Sequence, residues 1–131
     1  MSKWTEFDMD NRVTTILSAV PINNPGGHAF GRPFLTAYQV AIDFERRWPE
    51  VVAEIGKPVG GSGSGQHDTL AQYIANQLSR HIRDAQNDHP IEGAFMSNRD
   101  VQEFVFDAVD GSTVVSSSAG GRADLSMYRL R

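Results

Sequence analysis

The sequence predicts an α+β protein in which two main helices pack on one face of a mainly antiparallel four- to five-stranded sheet, in the order β-α-α-β-β-β-β. Two observations lead to this prediction. The middle of the chain repeats apolar residues at helical spacing, whereas the C-terminal third consists of short β-rich runs separated by turn residues. Because 131 residues can bury one hydrophobic core, we expect a single domain over 1–131, with 1–12 as an N-terminal extension.

The N-terminal half predicts one strand followed by two helical pieces. Residues 13–20 are rich in β-branched types and apolar on both faces, as in a buried strand. A loop rich in Asn, Pro and Gly follows over 21–32. Pro33 suits the first position of a helix, and the helical segment 33–55 should be divided at Trp48, which precedes a second proline.

The strongest helical pattern in the chain lies over 68–85. Asp68 or Thr69 is expected to cap the start of this helix, and Thr69 followed three residues later by Gln72 fits a capping box. Apolar residues then recur every four positions from Leu70 to Ile82, which predicts one continuous buried face.

The C-terminal third predicts a meander of about four strands. The β-rich runs are IEGAFM, VQEFVFDAV, TVVSS and LSMYRL. Asp110 and Gly111 lie between two of these runs and predict a two-residue type I′ hairpin turn, which needs positive φ at both central positions. Met127 and Tyr128 should lie on opposite faces of the last strand.

Composition excludes several functional classes. The net charge of −4 argues against binding of nucleic acid or anionic lipid through a general excess of basic residues. The absence of cysteine removes disulfides, thiolate nucleophiles and cysteine-based zinc sites. The N-terminus is acidic, and no run approaches the ~20 apolar residues of a membrane span, so we expect a cytoplasmic protein without a membrane segment.

A glycine-rich segment, 60–65, leads into the strongest helix and invites comparison with nucleotide-binding loops. Gly60 and Gly65 have the spacing of a P-loop. However, Gln66 and His67 occupy the positions where a P-loop requires Lys and Ser or Thr, so the phosphate clamp and the magnesium ligand are missing. The P-loop interpretation therefore fails.

Two other glycine motifs fail in the same segment. Gly61, Gly63 and Gly65 are spaced G-x-G-x-G, which does not match the dinucleotide fingerprint G-x-G-x-x-G. The central residue of this run is glycine, so it is not a nucleophile elbow either. Two interpretations remain, a flexible connector between helices and a loop that holds an anion at a helix N-terminus.

A second glycine-rich segment, 26–32, also leads into a predicted helix. If the two helices lie side by side in parallel, their N-terminal ends converge on one polar or anionic small ligand. The candidate ligand-binding residues are then His28, Arg32, Gly61, Gly63, Gly65, Gln66 and His67. The four histidines do not have the spacing of metal ligands, so no metal site is predicted. The sequence contains no recognisable nucleophile or acid–base pair, so we assign no cofactor and no reaction.

Two alternative functions remain from the sequence. The first is a homodimer or other interaction module, in which the strand meander supplies an edge or a face for a symmetric partner. The second is a winged-helix-like DNA-binding regulator, with polar residues on the last helix as base contacts. These residues are Gln72, Asn76, Gln77, Arg80 and Arg83. The net negative charge and the long connector before the helix disfavour nucleic acid as the partner.

Overall fold

The computed structural model describes residues 2–61, 68–86, 88–116 and 124–131. The elements in this part of the chain are, in order, α1 (Lys3–Glu6), α2 (Met9–Ser18), β1 (Leu35–Thr36), α3 (Ala37–Arg47), α4 (Pro49–Ile55), α5 (Leu70–Asp84), β2 (Ile91–Met96), β3 (Val105–Asp107), β4 (Thr113–Val115) and β5 (Leu125–Leu130). The strands form two antiparallel sheets, one ordered β1-β5-β2 and one that pairs β3 with β4.

The α+β class is confirmed, but its predicted arrangement is wrong in detail. The described residues form five helices rather than two main ones, and the strands are divided between a three-stranded and a two-stranded sheet. The C-terminal strand β5 lies in the centre of the larger sheet, between β1 and β2. Strand β5 therefore pairs on both sides with strands that precede it in the sequence.

The predicted first strand over 13–20 is wrong, because residues 13–18 belong to helix α2, which Ala19 caps. Met9, Val13, Ile16 and Leu17 are all buried, and their spacing follows one face of a helix. The helical period becomes visible only when Met9 is counted with the residues after it. Local β-propensity is overridden here by burial of this face against the rest of the core.

The segment 1–12 contains α1 and the first turns of α2. Trp4 is only 4% exposed, and its indole Nε1 donates a hydrogen bond to Asp10 Oδ1 at 2.8 Å. The ring of Trp4 packs edge-on against Tyr73 and His81, with ring centroids 5.8 and 5.4 Å away. The N-terminal helices are thus packed onto α5.

Helix α3 begins later than the predicted start at Pro33. Thr36 is its N-cap, and a complete capping box joins Thr36 to Gln39, with Thr36 N to Gln39 Oε1 at 2.8 Å and Gln39 N to Thr36 Oγ1 at 3.2 Å. Leu35 and the cap residue Thr36 pair with β5 as the short strand β1. The predicted division at Trp48 is confirmed, and Pro49 occupies the first position of α4.

The hairpin between β3 and β4 differs from the predicted two-residue turn. Five residues, 108–112, connect the two strands, and Ala108 N donates to Ser112 O at 2.9 Å. Gly111 has a φ of 88°, whereas Asp110 does not have a positive φ. The type I′ prediction is therefore wrong, and one left-handed glycine is enough for this wider turn.

Candidate functional site

The predicted glycine-loop site lies partly outside the described residues, which do not include Gly63, Gly65, Gln66 or His67. Gly61 is described, and it lies against strand β4. A Cβ atom added at Gly61 would stand 2.9 Å from both Val114 Cγ1 and Val115 O, and the φ of this glycine is 101°. Glycine at this position therefore allows the chain to pass close to β4.

Arg32 contacts other elements, whereas His28 packs within its own loop. Arg32 Nη1 donates to the carbonyl of Ser18 at the end of α2, at 3.0 Å. The carbonyl of Arg32 accepts from Arg129 Nη1 at 3.2 Å. The exposed His28 ring stacks on Phe30, with ring centroids 5.7 Å apart. The contacts of Arg32 hold the loop over 21–32 on α2 and β5, whereas Gly61 of the segment 60–65 lies against β4.

The N-terminal amides of α5 already have acceptors within the chain. The amides of Leu70 and Ala71 donate to the carbonyls of 58–59 at 2.7 and 2.9 Å. The third amide, of Gln72, donates to Thr69 Oγ1 at 3.2 Å, so Thr69 is the N-cap of the two residues predicted for this position. An anion at this helix end would have to displace these three bonds. The capping box of α3 occupies the other predicted helix end in the same way.

A different concave site lies between the second half of α5 and the strands β2 and β5. It is a groove of about 570 Å³. Gly93 and Tyr128 are directly opposite each other in the β2–β5 pair and form part of its floor. A Cβ atom added at Gly93 would lie 3.5 Å from Ile82 Cδ1 of α5, an ordinary contact distance. Strand β2 therefore passes close to α5 at Gly93, with room for a Cβ atom between strand and helix.

Tyr128 fixes the helix above this floor. Its hydroxyl lies 2.7 Å from Ser79 Oγ and donates to the carbonyl of Ala75 at 3.2 Å. Burial raises the pKa of Tyr128, while hydrogen bonds to Ser79 and Ser126 act in the opposite direction. The phenol stays protonated at neutral pH and serves as a structural hydrogen-bonding group.

The border of the groove is cationic on one side and aromatic on the other. Arg80 and Arg83, exposed on α5, line the helix side, and Phe95 of β2, which is 71% exposed, lines the strand side. Arg83 Nε lies 3.3 Å from Asp84 Oδ1. None of the described residues that line the groove is acidic. The groove thus combines positive charge with apolar surface.

The groove also lies beside an open sheet edge. In the three-stranded sheet β2 pairs only with β5, so the outer edge of β2 has no strand partner within the described part of the chain. Phe95 and Met96, at the end of this strand, are 71% and 39% exposed. Exposed apolar residues on an unpaired edge are typical of a surface that binds something.

Sequence reasoning missed Gly93 and Phe95 as functional residues. A single glycine inside a β-rich run was the available signal, because it marks a place where another group approaches the strand closely. Recognising it as a groove floor requires knowing that α5 crosses this face. The arginines were noticed, but as contacts to DNA.

Among the described residues, no three or more His, Asp or Glu side chains are grouped so that they could hold a metal ion. The helices described here include none that is both long and apolar enough to cross a membrane. Comparisons with protein-family models, with curated proteins and with solved structures found no significant match for this chain.

Proposed function

We propose that this protein is a small binding module that holds an anionic ligand with an apolar part in the groove between α5 and the β2–β5 pair. The observation that supports the proposal is that Arg80 and Arg83 line the same groove as the exposed Phe95, with Gly93 in its floor. The proposal keeps the predicted polar or anionic ligand but moves its site away from the glycine loops. We also keep the cytoplasmic location that was predicted from the sequence as part of this proposal.

The two borders of the groove make different contributions to binding. Guanidinium groups bind carboxylate or phosphate oxygens through paired hydrogen bonds, which orient the ligand. At exposed sites such charge pairs contribute only about 0–1 kcal/mol each. Covering an exposed phenylalanine contributes about 1.5–3 kcal/mol, so Phe95 should supply most of the affinity and the arginines most of the selectivity.

Ligand titrations with isotope-labelled protein test this proposal. Phenyl phosphate and decanoate should shift the backbone amide signals of Gly93 and Phe95, and the double variant Arg80→Gln/Arg83→Gln should weaken binding about tenfold. The matched control is Arg46→Gln/Arg47→Gln, which removes the same charge from the exposed end of α3. Equal losses in both double variants, or signal shifts centred outside the groove, would contradict a site at α5.

Self-association is a second candidate function, supported by the exposure of Phe95 and Met96 at the open edge of β2. A second copy of the chain could pair with this edge. Light scattering over a concentration series measures this directly. A strict monomer at all concentrations would remove the candidate.

DNA binding has weaker support. Asn76, Arg80 and Arg83, considered from the sequence as base contacts, all line the groove, and we assign them to its ligand instead. A gel shift on random duplex that weakens steeply with salt would favour the DNA alternative.

A further inference from the structure

We propose that the ligand of this groove is an extended acidic peptide that adds to the outer edge of β2 as a further antiparallel or parallel strand. The inference rests on the proposed function and names the class of partner for the same site. It combines three features of the described residues: an open strand edge, an exposed glycine at position 93 and a cationic border on α5. Peptide recognition by strand addition uses main-chain hydrogen bonds for affinity and side-chain pockets for selectivity.

The edge itself is suited to strand addition. Strand β2 runs over Ile91–Met96, and all six residues are in register with β5 on the inner side. Natural sheets protect open edges with charged side chains, prolines or bulges. Within β2 the only charged residue is Glu92, whose Oε2 accepts a hydrogen bond from Arg129 Nε at 2.8 Å. The edge therefore carries no free charge that would repel an added strand.

Side chains alternate between the two faces of a strand, and this alternation determines which residues the peptide needs at each position. Successive residues of a strand point to opposite faces, so Gly93 and Phe95 share the face of the sheet on which α5 packs. A residue of the peptide opposite Gly93 meets an exposed position without a side chain, bordered on the helix side by Ile82 and Tyr128. An aromatic or large aliphatic side chain of the peptide covers this glycine from the solvent side, next to the exposed Phe95, in the way that aromatic residues stabilise glycine positions at sheet edges.

The charge of the border determines the neighbouring positions of the peptide. Residues two positions before and after the aromatic anchor point to the same face, about 6.6–7 Å away along the strand. These positions lie nearest to α5, where Arg80 and Arg83 border the groove and no acidic residue is among the described lining residues. Acidic side chains at these positions complement the two guanidinium groups. The expected pattern is acid, any residue, aromatic, any residue, acid.

Charge complementarity also decides against a second copy of this chain as the occupant. If β2 of another molecule paired with this edge, its only acidic residue would be Glu92. Glu92 lies on the face opposite Gly93 and already binds Arg129. A second copy would therefore bring no acid to Arg80 and Arg83. A nucleic acid strand would bring negative charge, but it has no peptide backbone to pair with the edge.

Titration with two designed peptides tests the inference. The first, acetyl-TETFTET-amide, places two glutamates and one phenylalanine on the same face, and the second, acetyl-TKTFTKT-amide, replaces both glutamates by lysine. We expect the acidic peptide to shift the amide signals of 91–96, to slow hydrogen exchange at outward-facing amides of β2, and to bind about tenfold more tightly than the basic peptide. No shifts at millimolar acidic peptide, or equal binding of both peptides, would overturn the inference.

Variants locate the peptide in the groove. Gly93→Val places a branched side chain where the aromatic residue of the peptide would lie and should reduce binding of the acidic peptide about tenfold, whereas the smaller Gly93→Ala should have an intermediate effect. Phe95→Ala should weaken binding, and the matched control Phe30→Ala, at a 78% exposed phenylalanine on another surface, should not. Because Phe95 is exposed, its loss tests binding without loss of the fold. Unchanged binding in Gly93→Val and Phe95→Ala would overturn the assignment.

The same titrations separate this inference from the proposed function. If phenyl phosphate and decanoate shift the groove signals but the acidic peptide gives no protection of β2, the groove binds small anions and the peptide inference is wrong. If no probe shifts the groove signals, both are wrong. If light scattering shows a dimer that Phe95→Ala dissociates and the peptide does not compete with it, the edge belongs to a second copy.

Discussion

Arg129 joins the two longest strands of the main sheet, because its Nε donates to Glu92 Oε2 at 2.8 Å. The pair lies on the face opposite the groove and holds the edge strand β2 to the central strand β5. The same guanidinium donates through Nη1 to the carbonyls of Phe30 and Arg32, at 2.6 and 3.2 Å. It also lies 4.5 Å from the centroid of the Phe34 ring. One side chain thus connects the long loop over 21–32 to the sheet.

Replacing Arg129 by lysine should loosen both connections. Lysine keeps the charge but loses the planar fork that contacts Glu92 and the two carbonyls together. We expect a loss of about 1–2 kcal/mol in the free energy of unfolding and faster proteolysis within 21–32. Chemical denaturation and limited proteolysis measure the two effects. Arg131→Lys, which alters a single exposed bond to the His89 carbonyl, is the control and should change neither.

The same ion pair predicts acid sensitivity. The hydrogen bond from Arg129 lowers the pKa of Glu92, with its charge adding to the effect. A lowered folded-state pKa means that the stabilisation is present above the unfolded pKa, about 4.3, and is lost as pH falls through the folded value. Glu92→Gln should therefore destabilise the protein by about 0.5 kcal/mol at pH 7, with the difference from wild type shrinking below pH 4. A constant difference at all pH values would contradict this origin.

Removing the Tyr128 hydroxyl should weaken the attachment of α5 to β5. Tyr128→Phe leaves the Ala75 carbonyl without this donor and should cost about 1–2 kcal/mol. Burial raises the pKa of Tyr128, so its contribution is fully present below the unfolded pKa of about 10 and is lost as pH rises towards the folded value. Denaturation between pH 7 and 11 should show that Tyr128→Phe loses less stability at alkaline pH than the wild type does. Ser79→Ala removes only the second hydrogen-bond partner of the Tyr128 hydroxyl. It should lower the free energy of unfolding at neutral pH by less than Tyr128→Phe does.

Filling the groove floor should leave the fold intact. Gly93 does not have a positive φ, and a Cβ atom there meets Ile82 and Tyr128 at 3.5–3.7 Å. Gly93→Ala should therefore stabilise β2 by up to about 1 kcal/mol, because alanine restricts the unfolded chain more than glycine does. Gly93→Val requires the flexible end of Ile82 to turn aside and should change stability by less than about 1 kcal/mol. Thermal denaturation measures both, and a large loss would mean that the floor is more tightly packed.

The sequence predicted those elements whose signals lie within a few residues. The cap at Thr69, the break at Trp48 and the strand beginning at Ile91 each depend on neighbouring residues, and the structure confirms all three. The segment 13–20 failed because β-branched residues also occur in helices, and the decisive apolar residue, Met9, lies before the segment. Which face becomes buried depends on the tertiary fold.

The candidate site could not be predicted because its parts are far apart in sequence. Arg80 and Arg83 lie on α5, Phe95 on β2 and Tyr128 on β5, and only the sheet order brings them together. The glycine segments were predicted as a ligand site from their local residue pattern alone. Sequence could not show that the amides at the start of α5 donate to the carbonyls of 58–59.

The burial of Trp4 gives the protein an internal optical reporter. The sequence contains two tryptophans, and Trp4 is the buried one, in edge contact with His81 of α5. Its emission should shift to longer wavelength when α1 separates from α5 and water reaches the indole. Stopped-flow fluorescence could therefore follow detachment of the N-terminal helices, and a Trp48→Phe background would assign the signal to Trp4 alone.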